Sequence, residues 1–69
     1  MRETQRYLDM VDDVMRQHPD QREGQAYYNA FRMGWPGLIE QLPGDLDPYS
    51  LDSNLPGFLE WVEQTLDDQ

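Results

Sequence analysis

The residues best suited to chemistry in this chain are its acids, and their spacing is helical. Asp9, Asp12 and Asp13 share one face of a first amphipathic segment, and Glu60, Glu63 and Asp67 share one face of the last. Carboxylates so placed can exchange protons, ligate a hard cation, or present negative charge to a partner. Proton transfer on a substrate needs a pocket of about 300–1,000 Å³, which a 69-residue helical chain has little room to enclose. Metal ligation is tested best on the acid-rich stretch Asp45, Asp47, Tyr49, Ser50, Asp52, Asn54. A calcium loop begun at Asp45 requires Gly at its sixth position and Glu at its twelfth, where this chain has Ser50 and Pro56. Asp47 and Asp52 are better matched to turn and cap hydrogen bonds. Presentation of charge is what remains.

The rest of the inventory points the same way. There is no Cys and no Lys, and His18 is the one imidazole, placed at a helix end beside Pro19 where a cation meets the helix dipole favourably. No nucleophile stands at a motif spacing from a base, so the expectation is a non-enzymatic protein without cofactor or metal. Fourteen Asp and Glu against five Arg give a net charge of -9, which disfavours direct binding to nucleic acid or to an anionic membrane. The helix, Gly turn and helix between Asp20 and Leu42 have the outline of a helix-turn-helix. Its second helix, with Leu38, Ile39, Glu40 and Gln41, offers no Arg or Lys to read bases or grip phosphate.

These residues need a scaffold, and the apolar pattern supplies one. Tyr7, Leu8, Val11, Val14 and Met15 recur at three- and four-residue spacings and predict a helix over about 4–17, ended by Pro19. Asp20 with Glu23 has the form of a capping box, opening a second helix over 21–33 that Gly34 ends. Gly24 within it costs about 1 kcal/mol of helix propensity and so signals close packing or a later start. Pro36 begins a short helix over 36–42 carrying Leu38, Ile39 and Leu42. An ordered Asp- and Pro-rich loop follows over 43–54, pinned by Leu46, Tyr49 and Leu51. Asn54 then caps a last helix over 55–66 with Leu55, Phe58, Leu59, Val62 and Leu66 on its inner side. No alternating strand pattern is present. The predicted fold is all-α, a compact single domain of three to four short helices. The Met1-Arg2-Glu3-Thr4 start and the absence of any long apolar run predict a cytoplasmic protein without leader or membrane span.

Four aromatics, Tyr28, Trp35, Tyr49 and Trp61, fall on or beyond the edge of the apolar stripes. A very small core recruiting every large ring explains each singly; an exposed contiguous set would instead be a protein interface. The acidic ridges also have two readings. Solvated faces, partly neutralised by Arg6 and Arg16 at helical spacing to Asp9 and Asp12, explain most charge runs of this kind. The sharper reading is an imitation of the phosphate array of DNA.

Gly24-Gln25-Ala26-Tyr27-Tyr28-Asn29-Ala30-Phe31, then Pro36 with Leu38 and Ile39, then Gly44-Asp45-Leu46-Asp47-Pro48-Tyr49 with Asp52, then Phe58-Leu59-Glu60-Trp61, together resemble a pattern in small uncharacterised proteins of bacteria and their phages. Those proteins share a GQA…N segment, an LDPF-like segment, where this chain has Tyr49 for Phe, and a closing FLxW. The resemblance implies no activity. It implies that Gly24, Gln25, Asn29, Asp47 and Pro48 fix the fold, with Asn29 tying the loop to the second helix.

The functional expectation is a small protein-binding protein, phage-encoded and acting in the host cytoplasm. It would engage a host or phage protein through an aromatic-centred, acidic-rimmed surface, with Tyr28, Trp35, Tyr49 and Trp61 as anchors and Asp9, Asp12, Asp13, Glu60 and Glu63 as rim. The alternative is a DNA-mimic inhibitor of a nucleic-acid-binding protein, and a homo-oligomer is a third possibility.

Overall fold

The computed structural model describes residues 2–68. Four helices follow in order, α1 (Arg2–Gln17), α2 (Glu23–Gly34), α3 (Pro36–Ile39) and α4 (Leu55–Asp67), with 3-10 turns at Gly44–Leu46 and Asp52–Asn54 in the connection before α4. Among the described residues there is no strand. Among the described residues no helix is long and apolar enough to cross a membrane.

Each helix boundary has a local cause. The backbone N–H of His18 still reaches the Val14 carbonyl at 2.9 Å, and Pro19 stops the helix there. The turn that follows, closed by Gln21 N–H to the His18 carbonyl at 3.0 Å, takes up Asp20 and Gln21, so α2 starts at Glu23 rather than Gln21. Its cap residue is Arg22, in extended geometry and without a side-chain cap bond, and the Asp20–Glu23 capping box does not form. Arg22 reaches instead across to the loop, where its Nη2 donates to the Tyr49 carbonyl at 2.7 Å. α3 is regular only to Ile39; i to i+3 bonds continue the turn through Leu42 before Pro43 ends it. Asn54 does not cap α4 either. The 3-10 turn before it already puts its backbone in helical geometry, which frees its Nδ2 to donate to the Asp47 carbonyl at 3.0 Å.

The core draws on three helices: Tyr7, Val11 and Val14 from α1, Ala26, Ala30 and Phe31 from α2, Phe58, Val62 and Leu66 from α4. Phe31 is its centre. Its ring lies 5.6 Å from Tyr7, 5.4 Å from Trp35, 6.1 Å from Phe58 and 5.5 Å from Trp61, stacked on Trp35 and edge-on to the other three. Such pairs add about 0.5–1.5 kcal/mol each beyond burial, which a small core needs. Tyr7, buried beside Phe31, satisfies its hydroxyl by donating to the Tyr27 carbonyl at 2.7 Å. Burial pushes the Tyr7 phenol well above its ordinary range, and Tyr27 nearby adds to the effect.

The connection between α3 and α4 is held by bonds rather than by a core of its own. Asp47 accepts from the Tyr49 N–H at 2.9 Å and from the Ser50 hydroxyl at 3.3 Å, an Asx turn of the kind its sequence predicts. Pro48 is buried against α2, and Gly24 is the reason it fits: a Cβ there would collide with the Pro48 carbonyl oxygen and the Asp52 carboxylate. Both readings of Gly24 therefore hold, close packing and a later helix start. Asn29 stands at the same junction, but the hydrogen bond that joins loop to helix is Arg22's.

Candidate protein-binding surfaces

The acidic ridges stand on adjacent helices. α1 and α4 pack side by side, with Thr4 and Gln5 opposite Glu63 and Asp67 and Leu8 opposite Leu59, so the two helices run antiparallel. Between them lie two adjoining hollows of about 210 and 280 Å³ that share Thr4, Leu8 and Glu63. The floor is apolar: Tyr7 and Val62 are buried beneath, Leu59 is half-buried, and Leu8 is 39% exposed. The Thr4 hydroxyl oxygen in this groove is buried and has no hydrogen-bond partner.

Acids border the groove. Glu63 lines both hollows and Asp67 one of them, whereas Asp12, one helical turn on from Leu8, is exposed and lines neither. Asp9, Asp12, Asp13, Glu60 and Glu63 are all exposed. On α1 the two arginines at helical spacing neutralise little of the ridge. Arg16 meets Asp13 at 4.0 Å rather than Asp12, an exposed pair of small energetic weight. Arg6 turns away from Asp9 to lie over the Trp35 ring, 5.7 Å from its centroid, and Asp9 takes a hydrogen bond from Gln5 at 3.1 Å. Glu60 borders a separate shallow hollow with Leu46, Gly57 and Trp61.

The four aromatics fall into different places. Trp35 and Trp61 are half-buried and stack on Phe31 and Phe58 as the outer members of the core cluster. Tyr28 and Tyr49 form an edge-to-face pair at 5.5 Å where the loop meets α2, and Tyr49 is 45% exposed. With Asn29, Arg32 and Asp47 they line a hollow of about 250 Å³. It adjoins a larger cleft of about 420 Å³, walled by Gln17, His18, Gln21, Asn29, Arg32 and Met33 with Val14 at its base. Glu63 thus flanks the leucines, and half-buried Tyr28 and exposed Tyr49 lie beside an arginine.

Leu8 and Leu59, placed by the sequence on the core-facing stripes, instead line the groove with Thr4: Leu8 is exposed and Leu59 half-buried. The signal was present in the width of the stripe: Leu8 and Tyr7 are adjacent in sequence and so point about 100° apart on a helix, which puts one of them at the stripe's edge when the other is central. Among the described residues no group of three or more His, Cys, Asp or Glu is placed to hold a metal ion. Compared with protein-family models, with curated proteins and with solved structures, the chain matches none.

Proposed function

We propose that this chain is a small non-enzymatic protein-binding domain whose α1/α4 groove receives a basic amphipathic helix of a partner protein. The observation that carries the reading is an apolar floor, with Leu8 and Leu59 at its edge, bounded on the α4 side by the exposed carboxylates of Glu63 and Asp67. An apolar floor selects leucine-like anchors, and the net charge of -9 attracts and orients basic flanks. The setting is the one expected from the sequence, with a host or phage protein as partner in the host cytoplasm. Imitation of DNA is the second reading, favoured by two acidic ridges on neighbouring helices. It would use the carboxylates alone, and so leaves Leu8 without a purpose.

The test is a titration of the full chain with a three-turn Leu/Lys amphipathic peptide and, in parallel, with a Gln/Lys peptide of equal charge. The Leu/Lys peptide is expected to bind at least about tenfold more tightly, and Leu8→Glu to remove that difference. Equal binding of both peptides, with affinity that vanishes in moderate salt, would instead support the mimic.

A further inference from the structure

We infer that the cleft between the α1–α2 turn and the exposed side of α2 binds the carboxylate terminus of a peptide chain, at a site separate from the acidic groove. Arg32 carries the inference. The other arginines whose side chains are described are engaged: Arg6 on the Trp35 ring, Arg16 with Asp13, Arg22 on the Tyr49 carbonyl. Arg32 has no partner among the described residues although fourteen acids are present in the chain, and it borders both the 420 Å³ cleft and the adjoining tyrosine hollow. The larger cleft has no carboxylate in its lining, whereas each of the other hollows described above has at least one, Asp47, Glu60, Glu63 or Asp67. In the cleft Arg32 faces an anion without a competing carboxylate, whereas in the tyrosine hollow Asp47 opposes it.

The remaining lining narrows the ligand. His18 stands with Arg32 as a second nitrogen donor, and Gln17, Gln21 and Asn29 supply neutral amides. The Gln21 Oε1 is buried without a hydrogen-bond partner, a loss that a turn of its amide toward an incoming N–H relieves. A ligand that offers a carboxylate to a guanidinium and an N–H to an amide oxygen is the last residue of a peptide. The net charge of -9 repels any anion, and the penalty grows with the ligand's charge, so a single carboxylate is favoured over a polyanion.

The experiment is a ¹H–¹⁵N NMR titration of the full chain with N-acetyl-Ala-Ala, its C-terminal carboxamide, and inorganic phosphate. The free acid is expected to move the Arg32 Nε–H and Gln21 side-chain amide signals. The carboxamide, and the Arg32→Gln variant with the free acid, are each expected to bind at least about tenfold more weakly. Leu8→Glu should leave the titration unchanged, which separates this site from the groove. Acid and carboxamide acting alike, shifts that survive in Arg32→Gln, no shift of these signals, or phosphate matching the peptide would each overturn the inference.

Discussion

The acids along α1 and α4 and the acids of the loop before α4 are the same chemical groups put to different use. In the loop, Asp47 accepts two hydrogen bonds through its side chain and a third through its carbonyl, and so holds Tyr49, Ser50 and Asn54 in place. On the ridges, Asp12 and Glu63 make no such contribution: they are exposed, and beside them lie leucines that the fold does not finish covering. A carboxylate that the fold uses is explained by the fold. One that borders unsatisfied apolar surface is available for a partner, and this contrast, more than total charge, separates structural acids from candidate functional ones.

Four substitutions sharpen that contrast. Phe31→Ala removes the ring on which Tyr7, Trp35, Phe58 and Trp61 converge, and is expected to cost about 3–5 kcal/mol. That is a large part of the stability of a domain this size, so chemical denaturation should show groove and loop lost together. Gly24→Ala acts on one side only. The new methyl meets the Pro48 carbonyl, and a destabilisation of about 1–3 kcal/mol should appear with faster amide exchange at Tyr49 and Asn54, while the α1/α4 seam stays protected. Equal loosening of both regions would erase the distinction.

Tyr7→Phe leaves the packing and removes the bond to the Tyr27 carbonyl, for an expected loss of about 1 kcal/mol at neutral pH. Its pH signature follows from the raised phenol. The fold holds Tyr7 neutral, so its contribution is complete below the ordinary value of 10.0 and is lost as the pH climbs above it, where the unfolded chain ionises first. Denaturation midpoints measured from pH 8 to 11 should therefore fall more steeply in the wild type than in Tyr7→Phe. Leu8→Glu should shift the same midpoint least, by about 0.5 kcal/mol or less, because that side chain is part-exposed and its loss falls on binding.

The helical architecture was legible in the sequence because apolar spacing and prolines dictate it: Pro19, Pro36 and Pro56 mark boundaries that the structure keeps to within a few residues. The caps were not legible. Asp20, Glu23 and Asn54 have the right types at the right spacing, but the loop supplies a competing partner for Asn54 and tertiary packing at Gly24 accompanies a later start for α2, and both are contacts distant in sequence. The candidate site divided for a related reason. Helical spacing places acids on a face, whereas which helix lies alongside is decided by the core, so the placing of Glu63 beside Leu8 and Leu59 emerges only when α1 and α4 meet. Trp35 and Trp61 look peripheral on a single helix and become core once Phe31 stands between them.

The most direct measurement is the set of intermolecular methyl contacts, by NMR, in the complex of the full chain with the Leu/Lys peptide. Contacts from the peptide leucines to the methyls of Leu8 and Leu59 are the expected result. Contacts confined to Leu51, which is 57% exposed, and to the Tyr28–Tyr49 pair would place binding on the loop side and contradict the assignment of the α1/α4 groove.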